Sequence, residues 1–421
     1  MGEVKQQTAK TPSTPPSLWQ GFMGMDYDDM RFGAFFMAIM VYAIWGTPTP
    51  EIIGVPEIIT GGLLIFATGL MRIRGIFQNT ETVIWRRAAQ LLFIIILPLP
   101  LIVSLFHGNA PALMMRDVIP FLYLLLPLFL YDLMRKKEGY KTFLTIIIAG
   151  MGLIFALRVL SPLLLAANFT HWSLPQPADP FYLANAPTVL FAGIFFIGMA
   201  GFEIYRADTR FAIPYAFFLL FLGFFPLAAM ALILQRASMG MVVISILFLL
   251  CFSFYRRPER ALLPFLTVVM VVALGWDMFE QVLDSLVHKT SVVGMNMRMQ
   301  EAWAVIGEIQ GSFWTVVFGK GWGATFTSPA VGGVTVNFTH NLLTTYWLKT
   351  GLVGLSLACV YLYDIGRKVF DMLFHLPVVG LAIFAPLMID IFLYASFKSL
   401  DFGLVLLLGT LWADEVRRLK K

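Results

Sequence analysis

The chain has 421 residues, 59% of them apolar and 13% charged, with a formal net charge of +5. Soluble domains run at roughly 45–50% apolar and about 25% charged, so a soluble globular enzyme, a disordered protein and a disulfide-stapled secreted domain are excluded. At about 20 residues per membrane-spanning helix, the apolar content suffices for about twelve spans.

Residues 1–30 read as a flexible cytoplasmic tail, rich in Pro, Ser, Thr and Lys and without the early apolar run of a secretory signal. Twelve apolar segments follow, over 31–47, 52–71, 88–106, 118–134, 142–166, 186–205, 211–234, 237–255, 261–276, 340–363, 376–395 and 401–414. The second is interrupted by Gly54 and Pro56. The expectation is an all-α polytopic membrane protein with about twelve transmembrane helices. Helices 1–9 would occupy 31–276 and helices 10–12 would occupy 340–414. A large, partly helical periplasmic loop would fill 277–339, and 415–421 would be a basic cytoplasmic tail.

Every second connection is basic. Arg72, Arg74, Arg86 and Arg87 share one, and Arg135, Lys136, Lys137 and Lys141 share the next. Arg206 with Arg210, then Arg256, Arg257 and Arg260, then Arg367 with Lys368, and finally Arg417, Arg418, Lys420 and Lys421 continue the pattern. The basic side is cytoplasmic by the positive-inside rule, which puts both termini there. That side carries 22 Lys and Arg against 14 Asp and Glu, and the external side 8 against 11. The positive net charge is therefore a topology signal, and implies no nucleic-acid partner.

Charges in or beside an apolar span need a reason. Arg158 lies in the fifth segment towards its external end, and Arg236 at the external turn of a tight hairpin. An arginine at such a depth can snorkel to the headgroups. Two at one depth on a net acidic side point to an anionic substrate, because guanidinium groups match phosphate oxygens in bidentate fashion. In the long loop, Arg298 and Glu301 stand three apart on an amphipathic helix over Asn296 to Gln310, a spacing that also suits a solvated ion pair. Gly319, Gly321 and Gly323 alternate with Lys320 and Trp322, as in a loop whose backbone approaches something closely.

His340 falls at the start of the tenth span, after Asn337 and Thr339, both competent N-caps. A helix N-terminus disfavours imidazolium, so a neutral ring able to take a proton is expected. His107, His171, His288 and His375 have nothing arranged around them. Asp390, inside the eleventh segment, is expected to pair with a buried arginine. Cys251 and Cys359 lie in apolar runs and form no metal or redox framework.

The order of these features resembles the O-antigen ligase and O-antigen polymerase superfamily of bacterial inner-membrane glycosyltransferases. The likeness runs from about Leu232 to Leu355, through Gln235-Arg236-Ala237-Ser238, Arg298, Trp303, the Gly319–Gly323 turn and His340-Asn341, to Gly351-Leu352-Val353-Gly354-Leu355. Ala237 stands where the family usually has glycine.

The resemblance implies an undecaprenyl-diphosphate-linked glycan as donor, used on the periplasmic face with no cofactor and no metal. The acceptor would be lipid A-core for a ligase, or a second lipid-linked glycan for a polymerase. It implies diphosphate contacts at Arg158 and Arg236, a further substrate contact at Arg298 and a catalytic role at His340. Asn341, Glu301, Lys320 and Asp390 are supporting candidates. A multi-span transporter is the non-enzyme alternative. The short Arg206–Arg210 connection argues against the two six-span halves common in that class.

Overall fold

The computed structural model describes residues 26–47, 53–69, 77, 83–167, 181–206, 210–293 and 297–419. Most of the expected N-terminal tail, Glu51, Arg72, Arg74, His171, Asn296, Lys420 and Lys421 lie outside the described residues.

Among the described residues the protein is all-α apart from one short hairpin. Its helices are α1 (Tyr27–Trp45), α2 (Val55–Thr68), α3 (Ile84–His107), α4 (Pro111–Arg135), α5 (Glu138–Ala166), α6 (Pro187–Arg206), α7 (Ala212–Leu232), α8 (Arg236–Arg256) and α9 (Pro258–Leu274). Then come α10 (Trp276–Val293), α11 (Arg298–Ile309), α12 (Phe313–Phe318), strands β1 (Phe326–Ser328) and β2 (Val334–Val336), α13 (Leu342–Met372), α14 (Pro377–Phe392) and α15 (Leu400–Leu419). The strands pair antiparallel, Thr327 opposite Thr335.

Among the described residues, seven helices (α3 to α8 and α13) are long and apolar enough to cross a membrane, and α2 and α14 are shorter apolar helices. A helix coincides with each of the twelve expected segments, with shifted ends. The largest shift is in α13, which continues from 363 to Met372 beyond its apolar stretch. There Asp364 accepts the Trp85 amide at 3.1 Å and so caps the start of α3. The segment expected as a loop from 277 is largely helical, because α10 and α11 occupy most of its first half.

The outward surface carries many large apolar side chains. Phe217, Phe218, Phe221 and Phe224 of α7 are exposed, as are Ile244 and Leu247 of α8. An apolar patch of this extent is stable only against lipid or another protein. The interior is built on α6 and α15, where Val189 to Ala192 and Leu404 to Leu408 are almost wholly enclosed.

Candidate functional site

Three short breaks in regular structure bring the site together. The hairpin between α7 and α8 turns through Leu234, which has φ 56°, and α11 opens directly after Met297 at φ 46°. Among the described residues these are the only non-glycine residues in the left-handed region. Each such position costs about 1–3 kcal/mol and persists only where its surroundings hold it. Arg236 is the first residue of α8, and Arg298 the first of α11. Both strained turns therefore aim an arginine.

The third break is the turn between α14 and α15. The Asn185 carbonyl accepts the Ser396 hydroxyl at 2.8 Å, while its side-chain oxygen accepts from Gln235 at 2.7 Å. Asn185 thus pins the α7–α8 hairpin to this turn. The Arg298 guanidinium lies over the Tyr394 ring, 5.5 Å from its centroid. Burial lowers the Arg298 pKa, opposed by Tyr394 and Glu301 and reinforced by Arg236. A guanidinium remains charged throughout the physiological range, so Arg236 and Arg298 bring two positive charges to the region of this turn.

Glu301, one turn along α11 from Arg298, is buried at 2% exposure. The solvated ion pair expected from its spacing is not what forms. Its carboxylate turns inward, accepts the His340 amide at 3.0 Å and the Ser328 hydroxyl at 2.7 Å, and meets His340 Nδ1 at 3.1 Å. Burial alone would raise the Glu301 carboxyl; the bonds from the His340 ring, the His340 amide and Ser328 outweigh it and hold it below its ordinary value. An ionised carboxylate only accepts, so His340 Nδ1 carries the hydrogen in this contact, and in the neutral ring Nε2 is the acceptor nitrogen. The ring is half-buried.

The helix cap is also displaced from its expected place. Asn341, not Asn337 or Thr339, caps α13, its side chain accepting the Leu343 amide at 2.8 Å. Thr339 bonds Thr344 and Thr345 instead, and its hydroxyl accepts the Asn341 amide at 3.2 Å. His340 consequently precedes the helix in an extended segment clamped by Glu301. The carboxylate contact, and not the helix terminus, fixes the position of the ring.

The glycine turn approaches its neighbours as closely as the alternation implies. Gly319, Gly321 and Gly323 have φ of 74°, 84° and 78°. Side chains there would meet the Lys349 carbonyl carbon at 2.5 Å, Ser104 Oγ at 2.4 Å and the Met114 amide at 2.8 Å. Gly351 breaks α13 with φ 66°. The amides of Lys320 and Gly321 donate to the carbonyls of Leu348 and Lys349 at 2.8 and 3.0 Å, beside that break. Lys320 itself pairs with Glu308.

Asp117 of α4 accepts the Gly323 amide at 2.7 Å and contacts Lys349 Nζ at 2.6 Å. Neither Asp117 nor Lys349 was selected from the sequence. Lys349 had a legible signal, as a charge inside the tenth apolar segment; Asp117 sits at a segment edge and had none.

Two expected residues stand elsewhere. Arg158 is 1% exposed, and its Nη1 donates to the carbonyls of Ala43 and Gly46 at 3.1 and 2.9 Å. It thereby closes the C-terminus of α1, whose last carbonyls lack helical partners. Asp390 is 1% exposed and its Oδ2 has no hydrogen-bond partner among the described residues. The expected arginine partner is not found among the described residues.

The chain matches no protein-family model, and no curated protein matches it.

Proposed function

We propose that the protein is a membrane glycosyltransferase of the O-antigen ligase type. It would move a glycan from undecaprenyl diphosphate to a hydroxyl of lipid A-core, without metal and with inversion. The observation that carries this reading is the His340–Glu301 contact on the helix that Arg298 opens, with Arg236 on the hairpin pinned to the turn against which Arg298 rests. An imidazole oriented by a carboxylate suits a base, and guanidinium groups suit a departing diphosphate.

The reaction needs little else. The acceptor oxygen attacks the anomeric carbon, and its proton passes to His340 Nε2. The bond from the anomeric carbon to the diphosphate oxygen breaks, and the electron pair leaves with undecaprenyl diphosphate. Arg236 and Arg298 stabilise the developing charge, and Glu301 stabilises the imidazolium. Arg158 is left out of this group because its Nη1 closes α1. Twelve spans, cytoplasmic termini and a periplasmic site in the bacterial inner membrane complete the reading, on the alternation of basic connections.

The test is a cell-free assay with purified protein, lipid-linked donor and lipid A-core acceptor, in the presence of a chelator. Transfer with inverted linkage by NMR is expected, and His340→Ala should lower kcat by about 10²–10⁴-fold. Retained linkage refutes the one-step mechanism, and full activity in a folded His340→Ala removes the base. In a deletion strain, core lacking all O-chain marks a ligase, whereas core bearing a single repeat marks the polymerase alternative. A protein that moves the lipid-linked glycan but forms no glycosidic bond is a transporter.

A further inference from the structure

A small recess of about 20 Å³ lies between α4, α13 and the α14–α15 turn, room for about one water-sized group. Its walls include Phe121, Trp322 and Phe397, and its polar members are Asp117, Lys349, Lys398, Thr345 and Tyr346. Two of these have hydrogen-bonding capacity to spare. Lys398 is 9% exposed, yet its ammonium makes no hydrogen bond with a described residue. Its contacts are Asp117 at 3.8 Å and the Phe338 ring, 4.7 Å from the centroid. Tyr346 is 6% exposed, and no described residue bonds its hydroxyl.

The other polar groups are committed. Lys349 Nζ donates to the Ala324 carbonyl at 2.5 Å and pairs with Asp117. Asp117 is further occupied by the Gly323 amide and, at 3.5 Å, by Asn337. Thr345 is bonded to Thr339. The single carboxylate of Asp117 faces two ammonium groups, the nearer being Lys349, so the apolar-walled recess keeps an excess of one positive charge when Lys398 is protonated. An ammonium this buried needs an acceptor, and a charge in such surroundings attracts its opposite strongly.

We propose that this recess is an anion subsite in which Lys398 and Tyr346 hold one oxygen of a phosphate group. Phe338, against which Lys398 rests, is two residues from His340, so a phosphate held here lies beside the clamped histidine segment. The subsite rests on the transferase reading only for the identity of the molecule that carries the phosphate. The groups that bear on the Lys398 charge are Asp117 and Arg116 from α4 and Lys349 from α13, and burial is the largest influence; together they bring its pKa down to about 7. An oxyanion in the recess would restore the charged form.

Binding of inorganic pyrophosphate and of inorganic phosphate to the purified full chain in detergent, read by calorimetry, tests this. Pyrophosphate should bind at pH 6, and Lys398→Gln should weaken it about tenfold, with Tyr346→Phe giving a smaller loss. Lys398→Arg should bind at pH 6 and exceed the wild type at pH 8.5, since a guanidinium stays charged where this lysine does not. Equal affinity for inorganic phosphate assigns the subsite to a single phosphate group, and preference for pyrophosphate assigns it to a diphosphate.

Absence of pyrophosphate binding by the wild type at pH 6, or unchanged binding in both Lys398→Gln and Tyr346→Phe, overturns the proposal. Lysine-dependent binding by a protein that forms no glycosidic bond would leave the subsite standing and remove the transferase. Transfer with an unaltered donor KM in Lys398→Gln would do the reverse.

Discussion

Glu301 does more than hold a neighbour. It contacts both the amide and the ring of His340, so one buried carboxylate fixes where the histidine sits and which nitrogen faces outward. Replacing it with glutamine keeps the size and removes the charge. Glu301→Gln is expected to lower kcat by about 10²-fold with little change in KM, because the imidazolium formed in the reaction loses its counter-charge. A drop confined to KM would show Glu301 to be a substrate contact instead. The same residue predicts a response to acid. Its carboxyl is held below its ordinary value of 4.5, so the folded state binds the proton less readily than the unfolded chain. Its contribution to stability is complete above that value and is lost as the pH falls through the lowered one. Melting temperatures of the wild type should therefore fall more steeply in that acid window than those of Glu301→Gln.

At the scale of elements, the central device is the seam between the glycine turn and the broken helix α13. Gly351 has φ 66°, and a side chain there would come within 2.2 Å of the Val317 carbonyl oxygen. Gly351→Ala combines left-handed strain with a backbone clash, so a loss of more than about 2 kcal/mol is expected, measured as a lowered melting temperature. Gly366→Ala is the control, since nothing lies within 4 Å of a side chain at that helical position. Equal stability of the two variants would mean that the seam carries no load. How much of this was legible in the sequence follows from which forces act locally. The alternating glycines announced a close approach, because only glycine tolerates it. Their targets, Ser104, Met114 and Lys349, are remote in the chain, and no periodicity encodes them. Arg236, Arg298 and His340 were legible as costly or isolated polar groups. The contacts that arrange them, Glu301 to His340 and Tyr394 to Arg298, depend on how α11 and the α14–α15 turn pack, which composition cannot express.

Across the whole molecule, the ion pairs sort by end. Arg31 and Lys136 pair with Asp28, Lys137 with Asp29, Arg86 with Asp132, Lys141 and Arg418 with Glu415, and Lys368 with Asp364. Every one of these residues belongs to the side that the basic connections mark as cytoplasmic. Lys320 with Glu308, His340 with Glu301, and Lys349 and Lys398 with Asp117 all belong to the other. None of these pairs joins the two sets, so the charge pattern and the contacts agree on which residues share an end, while the side of each end is an expectation from charge alone. That agreement makes the topology testable with few labels. The free Cys251 and Cys359 would first be replaced by serine. Single cysteines would then be placed at Gln310 and Glu259, both exposed and assigned to opposite sides. An impermeant maleimide, applied to cells with a permeabilised outer membrane, should label Gln310→Cys at once and Glu259→Cys only after lysis. Labelling of both before lysis would mean that the two positions do not lie on opposite sides, and labelling of Glu259→Cys alone would place the His340 cluster on the cytoplasmic side. The lipid-linked glycan donor would then have to be used on that face, and the periplasmic mechanism would fail with the topology.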